Sequence, residues 1–160
     1  MRIIGLTLSK ISVEQKEPIK DKLEIKAGLN ISDIKKETLG LSDKNSLRIE
    51  FVYTVDYNPG VAYVEIKGAI LTVDEQDESK NILKDWETKK IVDSVRIPLF
   101  NFIMNKCNIK AIQLEDELGL PLHIPMPKLG ARPQEDPAKD NKDKKSKEKS
   151  KEKNPANYAG

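Results

Sequence analysis

The chain carries one cysteine, one histidine and one tryptophan. A single thiol, Cys107, excludes a disulfide within the chain and any cysteine cluster for zinc. A single imidazole, His123, lies in a proline-rich stretch with no evident nucleophile or partner base, so it reads as an ordinary half-buried histidine. The glycines, at eight positions, form neither G-x-G-x-x-G nor Walker spacing, which leaves no nucleotide site. No stretch approaches the ~20 apolar residues of a membrane span. Met1–Leu8 is apolar but short and runs into a charged alternating stretch, so no leader is expected. These absences argue against an enzyme and against any cofactor or metal. They fit a reduced, cytoplasmic setting.

Charge is plentiful but uneven. Of 28 Lys/Arg and 26 Asp/Glu, the stretch Ala131–Gly160 holds 9 and 6, which leaves residues 1–130 close to neutral. A neutral domain offers no basic nucleic-acid surface. The tail (ARPQEDPAKDNKDKKSKEKSKEKNPANYAG) has almost no apolar residues and cannot offset the entropy of ordering. The expected organisation is a folded domain over residues 1–130 and a disordered lysine-rich tail over 131–160. Interleaved acids halve the tail's effective charge, and no aromatics separate its lysines, so it reads first as solubilising.

Every strictly alternating stretch precedes about residue 74, and every stretch with helical spacing follows it. Ile4, Leu6 and Leu8 share one phase, and Ile11 and Val13 continue it shifted by one. A bulge near Ser9–Lys10 would reconcile them. Leu23, Ile25, Ala27, Leu29 and Ile31 alternate with polar neighbours and form a second strand. Residues 35–46 read as a polar crossover. Leu47, Ile49, Phe51, Tyr53, Val55 and Tyr57 make the clearest strand. Asn58-Pro59-Gly60 is turn chemistry, and Val61–Val73 returns as the hairpin partner.

Ser79 is the expected cap of a short helix carrying Ile82, Leu83 and Trp86 on one side. Ile91, Val95, Phe102, Ile103, Cys107, Ala111, Leu114 and Leu118 then fall at steps of three and four. Pro98 should kink or restart that helix, and Asn105–Asn108 offers a second break. Gly119 ends it in the left-handed position. Alternate prolines make Leu120–Pro127 an extended apolar ribbon. Glu115-Asp116-Glu117, near the helix end, reads as solvated, and Cys107 as a small core residue. The fold class is α+β: a four-stranded antiparallel sheet with long C-terminal helices on one face.

Apolar surface is the remaining functional signal. Tyr53, Tyr57, Tyr63 and Trp86, with Leu120, Leu122, Ile124 and Met126, are candidates to line a groove. Core or oligomer contacts are the other reading. The hairpin strands carry large apolar groups on both faces. Helices cover one face, so the other is expected to meet a partner.

The stretch IEFVYTVDYNPGVAYVEIKGAILTV resembles the central hairpin of the SecB family of protein-export chaperones, including its segment Lys67-Gly68-Ala69-Ile70. Leu99-Phe100 followed by Cys107, and the Pro-bearing Leu120–Pro125, are also similar to that family. The resemblance covers roughly residues 2–127. It implies a SecB-like fold and a homo-oligomer, dimer or tetramer. It also implies ATP-independent binding of unfolded or non-native polypeptides in apolar grooves, in which the eight candidates above would contact the client. The competing expectation is a nucleic-acid- or ribosome-associated accessory protein acting through the lysine-rich tail.

Overall fold

Four strands follow one another and two helices close the chain: β1 Arg2–Gln15, β2 Glu24–Glu37, β3 Asn45–Asn58, β4 Ala62–Asp74, α1 Gln76–Glu87 and α2 Asp93–Glu117. The computed structural model describes residues 1–20, 22–38, 45–74 and 76–127. Met1–Met126 form one unit, and of a second unit, Pro127–Gly160, only Pro127 is described. The expected tail therefore lies outside the described residues, as do residues 39–44 of the crossover.

The sheet order is β1-β4-β3-β2, every pair antiparallel. The hairpin β3–β4 lies in the centre, and β1 and β2 are the edges. Tyr57 faces Ala62, Val55 faces Val64, Tyr53 faces Ile66 and Ile49 faces Ile70 across the hairpin. All eight are buried. The period of two places them on one face, and the helices cover that face. Asn58–Pro59 is a cis peptide bond, and Gly60 takes φ +77 in the turn.

The phase shift in β1 is a bulge. Leu8 pairs with Gly68 and Lys10 with Lys67, so Ser9 is extra and Leu6, Leu8, Ile11 and Val13 share the sheet face on which the helices pack, with Ile11 left exposed. A further irregularity lies at Ile4. Gly68 is where β1 comes closest: a Cβ there would lie 2.6 Å from the Thr7 carbonyl oxygen. β2 runs further than its alternation suggested. Lys35, Lys36 and Glu37 belong to the strand, not to the crossover. A bulge between Ile31 and Asp33 resets the phase, so that Ile31 and Ile34 are both buried. That second shift hides the strand from simple alternation.

Both helices differ in detail from the sequence expectation. α1 begins at Gln76 with Asp77 and Glu78 in its first turn, where acids suit the helix dipole. Ser79 is therefore inside the helix and buried, not its cap. α2 runs unbroken from Asp93 to Glu117 through Pro98 and through Asn105–Asn108. Pro98 stands in the second turn, so its missing N–H costs one bond near the helix start. Leu99, Ile103, Cys107, Ala111 and Glu115 then repeat every four residues on the buried face. That stripe seats the helix over β3 and β4.

Candidate functional site

Two places in the described residues combine polar and apolar chemistry. One is a closed cluster beneath the end of α2. The other is an open groove at the β2 edge.

The closed cluster grows from four side chains. Gly119 takes φ +65, its N–H donates to the Asp116 carbonyl at 3.1 Å, and the Leu120 N–H donates to the Glu115 carbonyl at 2.8 Å. This ending turns the ribbon back under the helix, with Leu120 buried. His123 thereby reaches Glu115. Its Nδ1 lies 2.7 and 2.9 Å from the two carboxylate oxygens, and its backbone N–H donates to Oε2 at 3.2 Å. Nε2 lies 3.1 Å from the Tyr53 hydroxyl and 3.3 Å from Asn108 Oδ1. The Tyr53 hydroxyl donates to that same Oδ1 at 2.7 Å, and Tyr57 donates to the Pro121 carbonyl at 2.8 Å.

Side-chain exposure is 3 % for His123 and 0 % for Glu115. Glu115 is thus buried in a full set of partners, not solvated, and His123 has a partner acid four places beyond Ala111 on the helical stripe. Burial, with Cys107 and Glu115 nearby, lifts the Tyr53 hydroxyl above its ordinary pKa. Burial and then Glu115 do the same to Tyr57. Burial pushes the Cys107 thiol from 9.0 up to about 11. The cluster fastens ribbon, helix and β3 together. None of its members lines the groove, and among the described residues no group of three or more His, Cys, Asp or Glu could hold a metal ion.

The groove encloses about 1070 Å³. Asn30, Ile31 and Ser32 of the edge strand form one wall, Trp86 and Lys89 at the end of α1 another, and Phe100 of α2 closes it. Asp33 organises the corner. It accepts the Trp86 indole N–H at 3.3 Å and the Ile34 N–H at 2.9 Å, and it pairs with Lys35 at 2.8 Å. The Lys35 contact is the main reason that the Asp33 carboxyl is held below its ordinary pKa. Among the described residues no strand pairs with the outer side of β2. Its outward N–H and C=O groups are therefore open to another chain along the groove.

The eight residues expected to line a groove are distributed unequally. Tyr53 and Tyr57 are fully buried under α2. Leu120 is buried beside them, and Leu122 and Ile124 are half-buried. Met126 is exposed. Tyr63 is half-buried on the opposite face of the sheet, paired with Asp56. Only Trp86 lines the groove. Of the remaining lining, Ile31, Ile91 and Phe100 fall within patterns the sequence shows, but nothing in those patterns brings them to one groove.

The outer sheet face is mixed in character. It carries Val52, Tyr63 and Leu71, but also Arg48, Glu50, Thr54, Glu65 and Lys67 in the same register rows. Glu65 bridges Lys10 and Lys67, and Arg48 pairs with Glu50. That face is largely a lattice of paired charges. Exposed apolar side chains also stand on α2 and its N-cap, at Val92, Ile97, Met104 and Ile109, and on the edge strand β1 at Ile4 and Ile11.

No family model matches the chain, and no curated protein matches it. Among solved structures it is similar to the Mycobacterium tuberculosis Rv1957 SecB-like chaperone, solved in complex with a ChAD peptide from the Rv1956 HigA1 antitoxin. The TM-score is 0.51 at 13 % identity, over 81 % of this chain and 89 % of that one. The likeness is one of fold: the four-stranded antiparallel sheet and its two helices are a SecB-like α+β arrangement. No helix among the described residues is long and apolar enough to cross a membrane.

Proposed function

We propose that this protein is an ATP-independent chaperone, a holdase that takes non-native polypeptide segments in extended form. One observation carries the reading: an open groove with an apolar wall at Trp86, Ile91 and Phe100 runs beside the unpaired edge of β2. A client strand can add its backbone hydrogen bonds to β2 and bury alternate side chains against the indole. Burying a few hundred Å² at ~25 cal/mol per Å² supplies micromolar-scale affinity after ordering costs. The fold likeness to a chaperone solved with a peptide supports the same reading. Capture by burial and strand pairing needs no nucleotide, in keeping with a chain that has no phosphate loop.

The assembly is part of the proposal. Ile97, Met104 and Ile109 stand exposed along α2, with Val92 exposed at its N-cap; Ile97 is 55 % and Ile109 62 % exposed. A second copy covering them would give a dimer or tetramer that works in the cytoplasm and hands clients to export. Native mass measurement reads the oligomer directly, and a strict monomer removes that part.

The functional test is aggregation of a denatured model client without ATP, with the full chain at equimolar or higher ratio. Suppression that tolerates salt is the expected result. Unchanged aggregation overturns the chaperone reading. Binding that instead collapses steeply with salt assigns the activity to the lysine-rich tail and a polyanion.

A further inference from the structure

Lys89 occupies a conformation that lysine does not favour, and it does so at the mouth of the groove. Its φ is 55. Its N–H donates to the Trp86 carbonyl at 2.8 Å, while the Lys90 N–H donates to the Asp85 carbonyl at 3.1 Å. This is the same ending that α2 makes, with Gly119 in the equivalent position at φ 65. Glycine meets no Cβ penalty there, whereas lysine does. α1 is thus closed by a residue that costs stability, and the side chain so retained is put to one place. Its ammonium sits 4.1 Å from the centroid of the Trp86 ring, on the groove wall.

The charges around it are not balanced. Arg96 is tied to Asp93 at 2.7 Å. That leaves Lys89 and Lys90 facing Asp85 as the other charged groups of the wall, and neither lysine has a carboxylate partner among the described residues. One positive charge is in surplus, beside an indole and a free strand edge. An indole face, an unpaired backbone edge and an unneutralised ammonium complement three features of one ligand: an apolar side chain, an extended backbone and a carboxylate.

We propose that the groove selects extended polypeptide segments in which an apolar side chain is followed by a carboxylate, and that Lys89 reads the carboxylate. The proposal rests on the chaperone reading for its biological setting, but its chemistry is tested separately. Strain at a binding surface is where such selection is commonly stored. The cation on the ring draws a client carboxylate to the position where its neighbouring side chain meets Trp86.

Trp86 is the chain's single tryptophan, so its fluorescence reports the groove alone. The full chain is titrated with acetyl-Gly-Leu-Phe-Glu-Val-Gly-amide and with the same peptide carrying Gln in place of Glu. The Glu peptide binds tighter by about two- to fivefold, the range of an exposed ion pair, and the ratio shrinks as salt rises. In Lys89→Gly and in Lys89→Met the ratio falls to about one. Lys89→Gly suits the left-handed position and folds, so loss of selectivity there is not loss of structure.

A ratio of about one in the native chain overturns the proposal, and so does a preference that survives both substitutions. If neither peptide perturbs Trp86 while client aggregation is still suppressed, the groove assignment falls and the chaperone reading stands. If the Glu preference is found but aggregation is unchanged, the chaperone reading falls and the carboxylate site stands.

Discussion

Glu115 holds His123 at three points, through both carboxylate oxygens on the ring Nδ1 at 2.7 and 2.9 Å and through Oε2 on the backbone N–H at 3.2 Å. The contact spans the end of α2 and fixes where the ribbon lies. Removing the acid leaves the buried His123 N–H and the ring Nδ1 without their partner, while Nε2 keeps Tyr53 and Asn108. Glu115→Ala should therefore cost about 2–3 kcal/mol, the upper part of the range for leaving buried donors without an acceptor. Glu115→Gln, which keeps one acceptor oxygen, should cost less. Urea denaturation followed by Trp86 fluorescence reads both. A loss below about 1 kcal/mol for Glu115→Ala would mean that water replaces the carboxylate and the cluster is not closed.

Tyr53 completes the same cluster from the sheet. Its hydroxyl donates to Asn108 Oδ1 at 2.7 Å and lies 3.1 Å from His123 Nε2. Tyr53→Phe keeps the ring in the core and removes only that bridge. The expected cost is about 1–2 kcal/mol, the price of leaving a buried acceptor short of a donor. Because Tyr53 and Glu115 meet through His123, the double variant should lose measurably less than the sum of the two singles. Strict additivity in the cycle would separate the two contacts and refute a single network.

What could be read along the chain follows from how each element signals itself. β3 and β4 are buried on one face along their length, so Leu47 through Tyr57 announce themselves by period two. The phase shift at Ser9 was visible because apolar residues continue on both sides of it. The shift at Ser32 was not, because Asp33, Lys35 and Lys36 surround the single buried Ile34. Pro98 suggested a break by its local chemistry, yet the four-residue stripe from Leu99 to Glu115 outweighs one lost hydrogen bond. The stripe itself was partly hidden because its last member is a glutamate.

The sites were less legible for a related reason. Size and aromatic character placed Tyr53 and Tyr57 among the groove candidates, but their hydroxyls satisfy partners inside the core. The groove is built from ends: the bulge of an edge strand, the last turn of α1 and the first turns of α2. Ends carry little periodicity of their own, so Ile31, Trp86 and Ile91 are legible as parts of separate elements and not as one groove.

Gly68 marks where the edge strand β1 closes on the hairpin. A Cβ at this position meets the Thr7 carbonyl oxygen at 2.6 Å, Phe51 Cζ at 2.9 Å and Leu8 Cδ2 at 3.1 Å. The first is backbone and cannot swing aside. Gly68→Ala should therefore push β1 away from β4 at the Ser9 bulge and cost about 1–3 kcal/mol, as overpacking does. Hydrogen exchange should show the loss first in residues 6–12, with the β3 amides still protected. Gly5, which has nothing within 4 Å of a Cβ, is the control. If Gly68→Ala is as mild as Gly5→Ala, the close approach of β1 is not tight in solution.

The buried thiol gives stability a pH dependence with a definite sign. In the folded chain the Cys107 pKa is pushed from 9.0 up to about 11, by burial. Between those values the folded state keeps a proton that the unfolded chain releases. Stability therefore falls as pH rises through that window, by up to about 1.4 kcal/mol per pH unit for one such proton. Tyr53 and Tyr57, also raised by burial, add slope of the same sign at the alkaline end. Cys107→Ala should remove about one proton's worth of slope while leaving the tyrosine part. The same shift leaves only about a thousandth of the thiol ionised near pH 8, so alkylation of the native chain should be slow until denaturant is added. Rapid native labelling at that pH, or an unchanged alkaline slope in Cys107→Ala, would place the thiol in contact with water and remove it from the stripe that seats α2 on the sheet.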